Sequence, residues 1–253
     1  RLAELRRKYG ATTEEMIGML GTLESELSGL ENSESRAKEV EAELGILGKK
    51  ILSAAESLSE KRGKIAKLLG KSVTDELKDL RMGDAKLSVE LSFSKDVSTY
   101  GARLAGNSIQ FVVRTNAGEE ARPLGKIASG GELSRIMLSI RRVIADRGGI
   151  GVYLFDEIDA GIGGQTGFEV GRKLKSVAEF NQVICITHLP QVAAFADHHL
   201  VVEKSKSGAR TQTRVAALGK KERTEEIARM LGGPNLTRKS LSNAAELLET
   251  AGE

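Results

Sequence analysis

The chain has 253 residues, 40% of them apolar, yet only 4% are aromatic and none is tryptophan. High charge with so few aromatic residues points to a long helix beside a smaller globular part. The formal net charge is +3, and residues 1–70 balance 12 basic against 12 acidic side chains, which excludes a strongly basic nucleic-acid-binding arm.

The chain opens on Arg1-Leu2-Ala3-Glu4-Leu5, which is no signal peptide and reads as the middle of a helix. The expectation is a start inside a larger protein. Every seventh residue from Leu2 is apolar: Leu2, Tyr9, Met16, Leu23, Leu30, Ala37, Leu44, Ile51, Leu58 and Ile65. The positions three further on are patchier, with Leu20, Leu27 and Leu69 filling some gaps. A repeat of seven held this long predicts a helix lying lengthwise on another helix, from the parent chain or from a second copy. Gly10 reads as a helix stop, and Thr12-Thr13-Glu14-Glu15 as a capping box that restarts it. The stem is expected to end at Gly70, giving a coiled-coil region over 1–70 and a head over 71–253.

Lys71 to Met82 reads as a short helical connector. Strands are expected at 87–93 and 108–114, with a polar loop from Ser94 to Asn107 between them. Asn116-Ala117-Gly118-Glu119 is a turn, and Pro123 forbids a helix just before the next motif.

Ser129-Gly130-Gly131 opens an amphipathic helix over Glu132 to Ala145. Glycines let backbone N–H groups come close to an anion, and a helix start adds free donors and a positive dipole end. Taken alone, the motif reads first as a helix cap with flexible glycines rather than as an anion site. Next, Val152 to Phe155 reads as a buried strand that delivers Asp156 and Glu157 at its carboxyl end. Ligands bind at that end in open α/β sheets. An aspartate there can hold magnesium, and a neighbouring glutamate can take a proton from water. A third apolar run, Val183 to Thr187, ends in His188, which can donate to a terminal phosphate oxygen. Cys185, the single cysteine, lies inside that run and reads as a small buried hydrophobe rather than a reactive thiol. It allows no intramolecular disulfide, which fits a reducing cytoplasm. No apolar stretch approaches the roughly 20 residues of a membrane span.

In this order the pieces resemble the C-terminal half of an ATP-binding-cassette ATPase head. Ser129-Gly130-Gly131-Glu132 is similar to its signature motif, Leu154-Phe155-Asp156-Glu157 to its Walker B strand, Asp159 to its D-loop and His188 to its switch histidine. A coiled stem running straight into such a half resembles the SMC-like branch rather than transporters. Longer strings, 126–135, 155–164, 185–193 and 225–233, are closest to a bacterial DNA-repair member of that branch. Ala117 departs from the family's pattern at a turn position.

The resemblance implies an α/β fold: the C-terminal lobe of an ABC-type P-loop ATPase head, a mostly parallel sheet flanked by helices, on a long N-terminal coiled-coil helix. It implies ATP and Mg2+ as nucleotide and ion. Asp156 would hold the metal, Glu157 would activate water and His188 would sense the γ-phosphate. Ser129, Gly130, Gly131 and Glu132 would reach ATP on a second head, with Asp159 at that contact. Gly70-Lys71-Ser72 is not a phosphate loop, because Ile65 stands where its first glycine belongs and stem helix precedes it. The implied partners are an N-terminal half carrying that loop, a second head in an ATP-sandwiched homodimer, and DNA, with no membrane.

Beyond the site, 199–203 and 210–218 read as a hairpin joined through Ser207-Gly208. Lys204, Lys206, Arg210, Arg214, Lys220, Lys221 and Arg223 make this region basic, as a solvated hairpin or as a contact for DNA phosphate. Thr224 is read as the cap of a helix over 225–231, and a last helix is placed over 240–248. The leading reading is an ATPase half-head in DNA repair. A non-catalytic tether with a coiled spacer is the alternative, and a transporter subunit fits the stem poorly.

Overall fold

A computed structural model of the chain describes residues 1–9, 12–96, 106–145, 151–207 and 210–252. The proposed stop at Gly10, most of the loop after Ser94, and Gly208 of the hairpin turn lie outside the described residues. The chain divides into two units, residues 1–61 with 93–108 and residues 62–92 with 109–253.

In the first unit, helix α1 (Leu2–Tyr9) is followed by α2 (Thr13–Lys78), which continues into the second. The capping box forms as expected: the Glu15 N–H donates to Thr12 Oγ1 at 3.3 Å, and the Thr12 N–H donates to Glu15 Oε2 at 2.6 Å. Heptad residues Leu23, Leu30, Leu44 and Leu58 remain exposed, so this face of α2 asks for another helix. Surface ion pairs such as Lys38–Glu34 at 2.7 Å add little to it.

The expected stop at Gly70 does not occur, since α2 runs unbroken to Lys78. Gly70 serves a different need. A Cβ there would sit 3.0 Å from the Leu87 carbonyl oxygen, so glycine admits a neighbouring strand against the helix. That strand is β1 (Lys86–Ser94), which forms a three-stranded sheet with β2 (Gly106–Arg114) and the short β3 (Arg122–Pro123), in the order β1-β2-β3. β2 and β3 run antiparallel, with Val112 opposite Pro123. Between them Gly118 takes φ +88° in the 116–119 turn.

A single 3-10 turn over 124–126 leads to α3 (Gly130–Val143). Val73 and Leu77 of α2, Leu87, Val113, and Ile136 and Ile140 of α3 form one core. A second core lies on the other side of α3. It gathers Leu80, Leu138, Phe155 of β4 (Val152–Phe155), Ile158, and Val170, Leu174 and Val177 of α4 (Gly164–Ala178). β4 pairs in parallel with β5 (Gln182–Cys185).

β4 is not buried on both faces as expected. Phe155 packs inward, while Val152 and Leu154 are 59% and 65% exposed, and Ile184 and Ile186 are also exposed. The apolar run is therefore a strand with one covered face and one bare one.

The short α5 (Pro190–Ala193) leads to the hairpin β6 (Leu200–Ser207) and β7 (Arg210–Ala217), which forms as expected. α6 (Lys220–Gly232) starts earlier than the Thr224 cap predicted. The Glu222 carboxylate accepts the Gly219 N–H at 2.8 Å, and Thr224 instead donates to the Lys220 carbonyl from inside the helix. α7 (Arg238–Gly252) closes the chain and packs with α5 and α6 around Ala193, Ile227, Ala228 and Ala244.

Among the described residues, no helix is long and apolar enough to cross a membrane.

Candidate functional site

Parallel pairing places the carboxyl ends of β4 and β5 side by side. Phe155 stands opposite Cys185, and the Ile186 N–H donates to the Phe155 carbonyl at 2.9 Å. Asp156 and Glu157 leave one strand where Ile186, Thr187 and His188 leave the other. The adjacency required of them is met.

The serine-glycine turn joins the same rim. Ser129 caps α3 in an extended conformation, and its hydroxyl accepts the Glu132 N–H at 3.4 Å. Ser129 and Gly130 are exposed, whereas Gly131 is buried and the Glu132 N–H is taken by Ser129, so the exposed part of the first turn is Gly130. One turn further on, the Ser134 hydroxyl donates to the Asp156 carbonyl at 3.0 Å, tying α3 to the end of β4. The absence of side chains at the turn is needed for this fit. A Cβ on Gly130 would lie 2.8 Å from Glu157 Oε2, and one on Gly131 would meet Ala160 Cβ and the Glu157 carbonyl at 3.1 Å each.

The two acids are exposed and differ in posture. One Asp156 oxygen accepts the Glu157 N–H at 2.9 Å, and the other has no protein partner among the described residues. Glu157 sits at φ +56°, in the left-handed region that non-glycine residues rarely enter. Such strain is retained where the surrounding structure over-determines it, as it is at functional positions.

Asp159, expected at a contact between heads, is only 3% exposed and turns its carboxylate into its own chain. Its Oδ2 accepts from the Thr187 hydroxyl, from the His188 N–H at 2.8 Å and from the Leu189 N–H at 3.3 Å. The same oxygen lies 3.0 Å from His188 Nδ1, while the His188 side chain is 72% exposed. Burial pushes the Asp159 carboxyl up, but the Thr187 hydroxyl, the His188 N–H and the His188 ring outweigh it and hold it below the usual carboxylate range. The stability that follows is fully present above the ordinary value near 3.8 and is lost as pH falls through the lower folded value.

The sequence motifs do not single out Arg135. It is 7% exposed on α3, and its Nη1 donates to the Ile158 carbonyl at 3.2 Å and to the Ala160 carbonyl at 3.0 Å. These carbonyls flank Asp159. The signal available in the sequence was a cation on the apolar face of α3, beside Ile136 and one turn before Ser139. Burial pulls the Arg135 guanidinium down, with Glu132 partly offsetting it.

Cys185 sits beside this rim with its thiol pushed up to about 12, first by burial and then by the carboxylates of Asp159 and Asp156. It is inert as a nucleophile, in keeping with a packing role. Among the described residues, no group of three or more histidine, cysteine or carboxylate side chains could cage a metal. Any ion here would rest on Asp156 and on its own ligands.

These elements define a class: an α/β lobe with a parallel strand pair flanked by helices, entered by a long helix. No family model matches the chain. Comparison with known sequences gives the particular relative. The chain is 36% identical to DNA repair protein RecN of Bacillus subtilis (strain 168), over 99% of the chain and 45% of that protein. It is 39% identical to DNA repair protein RecN of Haemophilus influenzae, over 97% of the chain and 44% of that protein. The chain is thus similar to these RecN proteins along nearly its whole length and spans somewhat under half the length of the curated proteins it matches. Among solved structures, an Smc head domain with an extended coiled coil from Pyrococcus furiosus, bound to the C-terminal domain of ScpA, aligns at TM-score 0.42 and 20% identity. That alignment covers 100% of this chain and 55% of the other.

Proposed function

We propose that the chain is the C-terminal half of an SMC-like ATPase head acting in DNA double-strand-break repair, with 1–70 as its stem and 71–253 as its head lobe. One observation carries this reading. The Ser129 turn, Asp156–Glu157 and His188 meet along one rim, beside a strand face left bare at Val152, Leu154, Ile184 and Ile186. A parallel strand pair is normally covered on both faces. The missing cover is the N-terminal half that carries the phosphate loop.

ATP then enters as substrate together with Mg2+. Asp156 fits the ion, being exposed with one oxygen open. A single carboxylate suits a cation that keeps most of its water and binds substrate phosphates. Bound there, the ion neutralises phosphate charge. Glu157 takes the proton of the attacking water, and His188 meets the γ-phosphate. Ser129, Gly130 and Gly131, with Glu132 behind them, offer helix-start N–H donors to ATP held on a second head. Two heads sandwiching two nucleotides make hydrolysis a dimer event, with the Asp159 turn at the contact. DNA is the partner, and the place of action is the bacterial cytoplasm, at the nucleoid.

The test compares this chain with the complete protein. The chain alone is expected neither to bind ATP tightly nor to turn it over, and the complete protein to hydrolyse ATP only with magnesium. Turnover by the isolated chain would sink the proposal, and ATP-dependent dimerisation of the complete protein without hydrolysis would mark a tether instead. The turn itself gives a second check. In Gly130→Ala the new Cβ meets the mobile end of Glu157 rather than backbone. The unfolding free energy should change by less than about 1 kcal/mol, while displacement of the base lowers kcat about tenfold or more.

A further inference from the structure

The contacts of Asp159 assign its carboxylate a role of its own, besides the place of its turn at the dimer contact. It follows Glu157 by two residues, yet its carboxylate reaches none of the reacting groups on its own strand. One oxygen, Oδ2, is taken up by residues 187–189: the Thr187 hydroxyl, two backbone N–H groups and the His188 ring. A buried carboxylate with this many donors is held in place, and so is whatever it holds. Its own position is braced from the other side. Arg135, buried on α3, bridges the carbonyls of Ile158 and Ala160, the residues on either side of Asp159. α3 is the helix that Ser129 caps. Hydrogen bonds therefore run from the serine-glycine helix through Arg135 to the carbonyls beside Asp159, and from residues 187–189 to Asp159 Oδ2, with the imidazole Nδ1 in charge contact with that oxygen at 3.0 Å.

The imidazole is otherwise unsupported. Its side chain is 72% exposed, and its Nε2 makes no hydrogen bond among the described residues. Without Asp159 the ring would turn freely about its χ angles. With Nδ1 held 3.0 Å from Oδ2, the ring is oriented and Nε2 is the atom left for a ligand.

We propose that Asp159 is a positioning residue for His188: it fixes the ring through Nδ1 so that Nε2 meets the terminal phosphate, and Arg135 holds Asp159 in register with the serine-glycine helix. This rests on the reading that His188 acts on the nucleotide. Asp159 touches neither substrate nor water in this role.

The experiment is a double-mutant cycle on kcat for magnesium-dependent ATP hydrolysis by the complete protein, using His188→Ala with Asp159→Ala and with Asp159→Asn. Removing the outer partner of a metal-ligating histidine costs about 10- to 100-fold in activity, and the same scale is taken for the positioned His188. Asp159→Ala is expected to fall in that range with KM changed by less than about threefold, and to add less than about twofold once His188 is alanine. Asp159→Asn keeps an oxygen where Oδ2 lies and is the variant that stays folded. It should lower kcat by about three- to tenfold in the presence of His188 and by less than about twofold in its absence, because neutral acceptors hold the ring more weakly.

Equal fold-losses in both backgrounds would show that Asp159 only supports the chain around Leu189, and would overturn the inference. Full activity of both Asp159 variants beside a crippled His188→Ala would overturn the inference and leave the function of His188 standing. Full activity of His188→Ala would overturn both.

Discussion

Replacing Glu157 by glutamine is expected to lower kcat for ATP hydrolysis by about 10²- to 10⁴-fold, the range supplied by a positioned general base, while ATP and magnesium still bind. Glutamine copies the shape of glutamate and keeps its hydrogen-bonding reach but cannot accept the proton of water. The geometry gives the comparison its force. Glu157 is held at φ +56° by contacts that the substitution leaves alone. Its N–H is on Asp156 Oδ1 at 2.9 Å, and its carbonyl accepts the Ala160 N–H at 3.0 Å. Neither bond involves the side chain, so the backbone strain is the same in both proteins and any change in rate is chemical. Single-turnover kinetics on the complete protein, with nucleotide binding measured in parallel, separate the two. A glutamine variant that turns over at the normal rate removes Glu157 from the role of base.

How much of this was legible beforehand depended on whether a residue's role is local. The Thr12–Glu15 box, the hairpin over 200–217 and the acids after Phe155 are set by neighbours a few positions away, and each stands where the pattern put it. Gly70 shows the opposite case. Glycine inside a helix costs about 1 kcal/mol relative to alanine, which is why it read as a stop. Packing of Leu87 against it outweighs that penalty, and Leu87 is 17 positions away.

α4 is hidden in the sequence for a related reason. Gly163, Gly164, Gly167 and Gly171 make 163–171 look like a loop, yet Val170, Leu174 and Val177 bury one face of a regular helix. In β4 an apolar run does not say whether its second face is covered within the same chain. In the site, the positions of Asp156, Glu157 and His188 could be read from strand ends. Arg135 and the inward turn of Asp159 could not, since both depend on contacts 23 or more residues apart.

The largest expected effect on stability lies at the root of the long helix. Lys173 of α4 is 4% exposed, and its Nζ donates to Glu76 Oε2 at 2.5 Å and to Asp79 Oδ2 at 2.9 Å. Arg142 of α3 joins the same Glu76 at 2.6 Å. Removing one side of a buried pair is far worse than removing both, because the charge left behind has been stripped of water without compensation. The two sides are not equivalent here. Glu76 and Asp79 keep 18% and 51% of their side-chain surface, so they can rehydrate if the lysine goes, whereas Lys173 cannot.

The double substitution Glu76→Gln with Asp79→Asn should therefore cost about 3 kcal/mol, at the lower end of the range for an orphaned buried charge because amide oxygens still accept its protons. Lys173→Met, which fills the same space without a charge, should cost no more than about 1 kcal/mol. Urea unfolding of the three proteins reads this directly from the shift in midpoint at constant slope. Because α4 leaves the segment that carries Asp159, and Glu76 lies on the last turn of α2, these ion pairs bind the end of the long helix to the helix that follows the acids. If the lysine and carboxylate variants lose equal stability, Lys173 is not the buried, water-stripped charge its surroundings imply. The attachment of α2 would then rest chiefly on the apolar packing of Leu69, Val73 and Leu77.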